Sequence, residues 1–264
     1  MADSEKCIVF RYTYHCAGIG DFLRAAAGAY LLCKERNVPF YFDITHPIGK
    51  WLEWKKYPGD ISDFKEDEYR GNLPNKLSVS DAIIDIFATH KHIVRSNYIL
   101  SNYDTLSDEI YALRGLLYPR PEFELEYRRL IAIPDRSYIC LHIRYGDYVL
   151  LREGHPDNRI ACSNTPIDER IERCLATIKD KSQPVYLITD NYDQKIELSA
   201  KYGFKYTNIQ PVHTSYTLRP EHVYLDTLIE FMFISRASHV YGLSQSGFSQ
   251  WGAAYGGTPY TLIE

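Results

Sequence analysis

Apolar and polar positions along the first 43 residues predict a strand, a helix and a second strand. The run KCIVFRY at residues 6–12 is apolar and β-rich, which is typical of a strand. A turn that contains glycine follows at residues 17–20, and Asp21 is predicted to cap a helix that extends to about residue 37. The run PFYFD at residues 39–43 predicts the next strand, so this region is expected to form one β-α-β unit.

The pattern is less regular between this unit and a break at Pro134. Residues 44–80 contain several prolines and a charged run, and they are predicted to be irregular. Helices are predicted further on, at residues 80–89, 106–117 and 122–133. Because Pro134 ends the last of these helices, we place a domain boundary here, with an N-terminal domain at residues 1–135 and a C-terminal domain at residues 136–264.

Predicted strands and helices alternate more regularly in the second half of the chain. Strands are predicted at residues 137–144, 184–189, 204–208, 239–243 and 259–262. Helices are predicted at residues 165–181, 192–202, 220–237 and 248–255. Strands that alternate with crossover helices imply a parallel sheet covered on both faces. The fold class predicted from the two halves is α/β, with two Rossmann-like domains and a cleft between them.

The composition argues against some classes of function. Of the 264 residues, 45% are hydrophobic and 24% are charged, and a net charge of −4 argues against a surface for nucleic acid. No apolar run approaches the ~20 residues of a membrane helix. The N-terminal sequence MADSEK lacks the basic and apolar regions of a signal peptide. A cytoplasmic protein without a transmembrane segment is therefore expected.

The string HIRYGDY at residues 142–148 is the strongest candidate for chemistry, because it ends a predicted strand. Ligands of open α/β sheets bind at the carboxyl ends of the strands. Arg144 offers a planar charged fork that matches a phosphate, and Gly146 allows a sharp turn. Asp147 lies near this cation and should remain ionised. The alternative is an ordinary ion pair at the end of a strand.

The string SQSGFSQWG at residues 244–252 follows another predicted strand and opens a helix. Hydroxyl groups and backbone N–H groups at a helix N-terminus form a site for anions. Ser246 and Ser249 are candidates to donate to phosphate oxygens, and Phe248 is a candidate to pack against the ligand. The alternative is a helix cap with core aromatic residues, which is the interpretation we adopt for Trp251.

The segment Gly18–Asp21 is the third signal, and it matches only part of a dinucleotide-binding fingerprint. The third glycine of that pattern is replaced by Leu23, and only Asp43 stands near the place of the acidic residue that binds ribose. The incomplete fingerprint therefore argues against a dehydrogenase function. The backbone at Gly18 and Gly20 remains a candidate for a close approach to a substrate.

The residues also favour chemistry without a metal ion. No Asp-x-Asp follows an apolar strand, and the acidic run at residues 66–68 is predicted to be a solvated loop. His90 and His92 have no third ligand near them in the sequence and are interpreted as surface residues. Charge on a leaving group would then be stabilised by Arg144 and by helix dipoles.

The three motifs, taken together and in this order, resemble those of the fucosyltransferase superfamily. HIRYGDY and SGFSQWG are most similar to the α-1,2 group, and VYLITD at residues 185–190 is most similar to the protein O-fucosyltransferases. The resemblance extends from the first strand to the last, through short motifs. It departs from the family at Asp21, where asparagine is usual, at Gly247, where a second serine is usual, and in the shorter chain.

The resemblance implies a GT-B-like fold, GDP-fucose as donor, inversion at the anomeric carbon, and neither a metal ion nor another cofactor. The partners it implies are a nucleotide sugar and a glycan or glycoprotein acceptor. Arg144 is implied to bind the β-phosphate, and His142 to support the nucleotide or the loop. The other donor-binding residues are Gly18, Gly20, Asp21, Ser246, Phe248 and Ser249. An acidic residue, either Asp190 or one on the long helix (Asp226 or Glu230), is implied to contact the base or the ribose.

The catalytic base has three candidates. Glu153 and Asp147 both follow Arg144 closely in the sequence, and Glu153 is near the position of the glutamate base in the α-1,6 branch. Asp21, in the N-terminal domain, is the third. Two other functions remain open on the sequence: transfer from another UDP- or GDP-linked hexose or pentose, and a non-catalytic module that binds a nucleotide or a sugar.

Overall fold

The computed structural model of the chain describes residues 6–13, 18–69, 91–96, 106–145, 166–209, 220–244 and 246–263. The chain divides into two units. The first unit is Met1–Leu125 with Thr214–Glu221, and the second is Glu126–His213 with His222–Glu264.

The first unit is built on a four-stranded sheet. Its helices and strands are, in chain order, β1 (Ile8–Tyr12), α1 (Ile19–Glu35), β2 (Phe40–Ile44), β3 (Leu52–Trp54), β4 (Lys65–Tyr69), β5 (His92–Ser96), α2 (Ser107–Ala112) and β6 (Leu117–Pro119). Short 3-10 helices lie at Pro47–Trp51 and Leu113–Gly115. The sheet order is β2-β1-β5-β4, and all its neighbouring strands are parallel. Strands β3 and β6 form a separate antiparallel pair.

Aromatic side chains fill the space between this sheet and α1. Phe22 of α1 lies near Phe10 of β1 and Phe42 of β2, at 5.9 Å between ring centroids in each case. The opposite face of the sheet carries Cys7, Val9 and Ile93, which pack with Phe64. The two faces are therefore both buried, as a parallel sheet requires.

The second unit contains another four-stranded parallel sheet, with the order β10-β9-β7-β8. Its elements are, in chain order, β7 (Ile139–Ile143), α4 (Ile167–Thr177), β8 (Val185–Thr189), α5 (Tyr192–Tyr202), α6 (Glu221–Ser235), β9 (His239–Gly242), α7 (Gly247–Gly256) and β10 (Tyr260–Leu262). Helix α3 (Pro121–Leu130) contains the point where the chain passes from the first unit to the second.

Side chains of the central strand β7 alternate between the two layers of helices. Ile139, Leu141 and Ile143 belong to one apolar cluster, which includes Ile171 of α4 and Leu198 of α5. All five residues of the strand are buried. Burying one such aliphatic side chain contributes about 1.5–3 kcal/mol, so this strand is a strong anchor for the residues that follow it.

Helix α7 approaches α6 very closely at two glycines. A methyl group at Gly256 would overlap the carbonyl group of Ser235, the last residue of α6. A methyl group at Gly252 would lie 3.1 Å from Cγ2 of Ile234. Arg136 holds the end of α7, because its Nη2 donates to the carbonyl oxygen of Gly256 at 2.5 Å. Glycine is therefore required at position 256 by the backbone of the neighbouring helix.

Three sequence predictions about local structure are wrong. Helix α1 begins at Ile19 with Gly18 as its N-cap, so Asp21 lies in the first turn and does not cap the helix. The segment 106–117 is not one helix: the chain turns at Leu113–Gly115 and enters β6. Residues 204–208 contribute only an isolated bridge between Lys205 and Tyr186.

The prediction of a solvated loop at the acidic run of residues 66–68 is also wrong. These residues belong to β4, which pairs with β5. Charged residues are common on edge strands, where they prevent pairing with another chain, and this masks the strand in the sequence pattern. His92 is likewise buried within β5 and is not a surface residue, while His90 lies outside the described residues.

The division between the units falls at Leu125–Glu126, before the boundary that the sequence places after residue 135. The second half of α3 belongs with the second unit. Its Tyr127 lies under the guanidinium of Arg236, with the guanidinium carbon 4.2 Å from the ring centroid.

Candidate functional site

The carboxyl edge of the second sheet brings together residues from three strand ends. Strand β7 runs into Arg144 and Tyr145, β8 into Asp190, and β9 into Ser244. The backbone N–H of Arg144 donates to Oγ of Ser244 at 3.0 Å. The backbone N–H of Tyr145 donates to Oδ1 of Asp190 at 2.6 Å. The chain that leaves β7 is therefore held from both sides.

This bracing fixes the backbone at Arg144, the residue with the strongest candidate role. Its side chain is half-buried at the edge where open parallel sheets bind ligands. A guanidinium in this place provides a permanent positive charge and a fork of donors that fits a phosphate. Ser244 and Asp190 therefore set the position of a cation by holding its main chain.

The N-terminus of α7 lies directly after β9 at the same edge. Ser246 is the N-cap residue, yet its side chain makes no capping hydrogen bond. Its hydroxyl is buried and finds no hydrogen-bond partner among the residues that the structure describes. A buried hydroxyl without a partner is costly, so this group is suited to a ligand that binds at the helix N-terminus.

Ser249 is placed differently, although it lies in the same first turn. Its hydroxyl donates to the carbonyl oxygen of Ser246 at 3.4 Å and forms a hydrogen bond with the hydroxyl of Tyr260. These contacts lie inside the protein, where Ser249 is fully buried. Ser249 therefore supports the turn that carries Ser246.

His142 lies one residue before the end of β7 and is only 4% exposed. Burial, together with the charges of Arg144 and Lys195, lowers the pKa of His142 to about 3. The imidazole is therefore neutral near pH 7. Its Nδ1 has no hydrogen-bond partner within the described part of the chain, and its ring lies 6.0 Å from the ring of Phe248.

Phe248 connects this edge with α6. Its half-buried ring makes an edge-on contact with Phe231, with 5.5 Å between the ring centroids. Such T-shaped pairs are a favoured arrangement of aromatic rings. Phe248 thus forms an apolar wall between the imidazole and the helix behind it.

A buried ion pair lies behind the edge. Nζ of Lys195 in α5 donates to Oε1 of Glu230 in α6 at 2.8 Å, and both side chains are 0% exposed. Burial raises the pKa of Glu230 to about 7, although Lys195 and the hydroxyl of Thr207 act in the opposite direction. Fully buried ions persist in proteins only with partners of this kind.

Asp226 is one turn before Glu230 on α6 and is half-buried. Burial raises the pKa of Asp226, and the nearby His222 partly counteracts the shift. Of the two acidic residues on this helix that the sequence proposes for base or ribose, Asp226 reaches the surface and Glu230 does not.

Comparisons with solved structures find the same architecture in fucosyltransferases. The α-1,6-fucosyltransferase NodZ from Bradyrhizobium, in crystals soaked with GDP-fucose, is 15% identical, with a TM-score of 0.58 over 95% of this chain and 92% of NodZ. A variant of Arabidopsis thaliana FUT1 in complex with GDP is 11% identical, with a TM-score of 0.62 over 97% of this chain and 70% of FUT1. POFUT1 in complex with GDP is 12% identical, with a TM-score of 0.54 over 100% and 99% of the two chains.

The chain has a fucosyltransferase fold. The fold class predicted from the sequence, α/β with two Rossmann-like units of the GT-B type, is therefore confirmed. No protein-family model matches the sequence, and no curated protein sequence matches it either.

In the first unit of the fucosyltransferase fold, the predicted glycine loop is partly helical. Gly20 is buried inside the first turn of α1, and Gly18 is the N-cap. Asp21 forms an ion pair with Arg24 in the same turn, with 3.2 Å between Oδ1 and Nη2. The structure therefore gathers His142, Arg144, Asp190, Ser246, Phe248 and Ser249 in the second unit, and it leaves Gly18, Gly20 and Asp21 in the first.

Three of the candidate residues after Arg144 lie outside the described residues. They are Gly146 and the two leading candidates for the catalytic base, Asp147 and Glu153. Their roles remain predictions from the resemblance.

The sequence did not single out Ser244 or Lys195 as functional. Ser244 opens the string SQSGFSQWG at a strand end, so its position was a usable signal. Lys195 precedes the buried Leu198 and Ser199 by three and four residues on α5, which places a lysine on the buried face of that helix. A charged residue on such a face indicates a buried partner.

Two observations on the described residues limit other kinds of site. No three histidine, cysteine, aspartate or glutamate side chains in the described ranges are arranged to hold a metal ion. Among the same residues, none of the helices is both long and apolar enough to cross a membrane.

Proposed function

We propose that this protein is a glycosyltransferase that transfers fucose from GDP-fucose to a hydroxyl group of a glycan or glycoprotein. The observation that carries the proposal is the carboxyl edge of the second sheet. There Ser244 and Asp190 hold the backbone of Arg144 and Tyr145 beside the N-terminus of α7, whose buried Ser246 hydroxyl has no partner among the described residues. The likeness in fold to proteins crystallised with GDP or GDP-fucose supports the same assignment.

In this proposal the diphosphate of the donor binds at that edge. Arg144 pairs with the β-phosphate, and Ser246 and the first backbone N–H groups of α7 donate to phosphate oxygens. His142, held neutral by its surroundings, donates a hydrogen bond without adding charge. Ser249 and Phe248 shape the turn, and Asp226 is the acid on α6 that is exposed enough to reach the base or ribose.

The reaction is proposed to invert the anomeric carbon. The acceptor oxygen bonds to that carbon, the bond from the carbon to the β-phosphate oxygen breaks, and a carboxylate removes the proton of the acceptor hydroxyl. Glu153 and Asp147 are the proposed bases, with Asp21 as the third candidate. Arg144 and the α7 dipole stabilise the negative charge that develops on GDP, so the reaction is proposed to need no metal ion.

The experiment is a product screen by mass spectrometry, with GDP-fucose compared with GDP-mannose, UDP-glucose and UDP-xylose on simple glycan and glycopeptide acceptors. We expect transfer from GDP-fucose with release of GDP, in EDTA as well as in Mn²⁺ or Mg²⁺. Transfer from another donor would replace fucose in the proposal. GDP binding without transfer to any acceptor would favour a binding module, and activity that disappears in EDTA would reveal a metal requirement.

A further inference from the structure

The buried ion pair of Lys195 and Glu230 is connected to the carboxyl edge of the second sheet through other residues. Lys195 lies in the first turn of α5, where its backbone N–H donates to the carbonyl oxygen of Asn191 at 2.9 Å. Asn191 is the N-cap of α5, and its side chain accepts from the N–H of Gln194 at 3.1 Å. Lys195 therefore belongs to the turn that begins immediately after Asp190.

That turn contacts the chain leaving β7 through two groups. Asp190 accepts from the backbone N–H of Tyr145 at 2.6 Å. The hydroxyl of Tyr145 donates to Oε1 of Gln194 at 3.4 Å. Because Tyr145 follows Arg144 directly, a shift of the first turn of α5 would move the backbone that carries the arginine.

The ion pair fastens this turn to two other parts of the unit. Nζ of Lys195 donates to the carbonyl oxygen of Ile209 at 2.6 Å as well as to Glu230. Thr207 also donates to Oε1 of Glu230, at 3.3 Å. Lys195 thus joins α5, α6 and the segment that runs beside β8. A lysine loses much side-chain entropy on burial, and a buried ion pair often stabilises a fold no better than apolar residues, so stability alone is a weak explanation for it.

We propose that Lys195 and Glu230 are positioning residues of the donor site: their buried pair fixes the first turn of α5, which through Asp190 sets the backbone of Tyr145 and Arg144. Neither side chain contacts the donor. This inference rests on the proposed function, and it moves Glu230 from direct contact with base or ribose to support of the phosphate site.

The test separates positioning from folding by replacing both charges together. Removing one partner of a buried ion pair is strongly destabilising, whereas replacing both with apolar residues is often neutral. The variant is therefore Lys195→Met/Glu230→Leu, checked first by thermal unfolding. GDP affinity is then measured by calorimetry well below the melting temperature. The matched control is Lys201→Met on the same helix, which removes an exposed ion pair with Asp168.

We expect the apolar pair to bind GDP about 10-fold more weakly while it remains folded, since one fixed charge-assisted contact is misplaced. The control should bind within about twofold of the unaltered chain. In an Asp190→Ala background the same replacement should have almost no further effect, because its route to Arg144 is already removed. The pair Lys195→Gln/Glu230→Gln, which keeps a hydrogen bond between the two side chains, should restore affinity to within about threefold.

Unchanged GDP affinity in the folded apolar pair would overturn the positioning role, as would an equal loss in the Asp190→Ala background or weak binding by the glutamine pair. If the apolar pair does not fold, Thr207→Val takes its place in the cycle, with an expected loss of about threefold and the same criteria. If the unaltered chain does not bind GDP, the proposed function fails together with this inference. Intact binding by the unaltered chain with unaffected variants removes the inference alone.

Discussion

The two units have sheets of similar size and parallel order, yet they differ in what is buried around them. Among the described residues, the buried polar or charged side chains of the first unit are His46 and His92. The second unit holds all the others: His142, Arg170, Thr189, Lys195, Ser199, Thr207, Thr227, Glu230, Ser235, Ser246, Ser249 and Thr258. Two units with similar sheets therefore differ in how polar their buried residues are.

The difference is sharpest at the strand ends. In the first unit, the ring of Tyr12 at the end of β1 is stacked between Phe22, at 4.0 Å between centroids, and His46, at 4.4 Å. The carbonyl oxygen of Tyr12 accepts from the N–H groups of Thr45 and His46. Aromatic stacking covers the end of β1, whereas at the end of β7 side chains from the neighbouring strand ends accept hydrogen bonds from the backbone. Fixed dipoles and cations suit a charged ligand, which is why the proposed function puts the nucleotide in the second unit.

The largest expected effect concerns which unit provides the catalytic base. Glu153→Gln should lower kcat by about 10²–10⁴ with little change in the donor KM, because a general base acts in the transition state. Asp147→Asn should affect both constants, since Asp147 is close to Arg144 in sequence. Steady-state kinetics at saturating donor and acceptor measures this. A wild-type kcat for Glu153→Gln would pass the role to Asp147, or to Asp21 of the first unit if Asp21→Asn is the slow variant.

The next effect compares an arginine near a strand end in each unit. Arg144→Lys should weaken GDP binding by about 10²-fold, because an ammonium group cannot replace a bidentate fork. Arg11 is the matched control: it is a half-buried arginine of β1 that pairs with Asp43 and Glu66. Arg11→Lys should leave GDP affinity within about twofold. Equal losses in calorimetry would contradict the assignment of the nucleotide to the second unit.

The pH dependence of the unfolding free energy should differ between the two units, because different buried groups titrate in each. Burial lowers the pKa of His46 to about 4, so between pH 6.5 and 4 the unfolded chain binds a proton there and the folded chain does not. Stability from this group is therefore complete above pH 6.5 and falls by about 1.4 kcal/mol per pH unit as the pH decreases. In the second unit, His142 acts in the same direction, but Glu230 has a raised pKa of about 7 and acts in the opposite one.

His46→Asn should isolate the contribution of the first unit. Asparagine keeps an acceptor for the N–H of Ile48, which His46 Nδ1 binds at 3.1 Å, and it removes the titrating group. Across pH 6.5 to 4 the variant should lose about 3 kcal/mol less unfolding free energy than the unaltered chain. Urea unfolding at several pH values measures this. Parallel stability curves would show that burial of His46 does not control acid sensitivity.

The smallest expected effect separates two serines in one turn. Ser246→Ala removes a hydroxyl without a capping bond, so unfolding free energy should change by less than about 0.5 kcal/mol. GDP affinity should nevertheless fall about 10-fold. Ser249→Ala should show the reverse, with a stability loss of about 1 kcal/mol and nearly normal affinity, because its hydroxyl bonds to Tyr260. Thermal unfolding and calorimetry on both variants decide the matter, and identical behaviour would contradict these placements.

The sequence predicts a helix or a strand well where the spacing of its apolar residues matches the side that the fold buries. Strand β7 is a largely apolar run that ends in chemically distinctive residues, so the pattern predicts the strand and marks Arg144 as a candidate. Helix α5 was predicted with its actual bounds, and Gly203 ends it with a φ of 73°, which glycine adopts easily. The placement of Arg144, Ser246 and Phe248 at one sheet edge is also predictable from parallel topology.

The errors have a different physical origin. Strand β4 is held by its partner β5, and its charged residues give no local sign of pairing. The same holds for Lys195 and Glu230, which are 35 positions apart in the sequence and meet only in the folded unit. The hydrogen bond of Asp190 to the backbone of Tyr145 also escapes the sequence, because it depends on the distance between two strand ends. The contact of Asp190 with base or ribose stays a prediction.

The glycine at the far end of α7 has a consequence for how this protein can evolve. The helix spans about 15 Å, with Ser246 before its first turn and Gly256 at its last. Since a methyl group at Gly256 would overlap the carbonyl group of Ser235, any side chain there would force α7 or the end of α6 to shift. Under the proposed function, selection on nucleotide affinity would therefore also act on Gly256, which lies at the opposite end of α7 from the proposed phosphate site. A search for improved variants confined to ligand contacts would miss it.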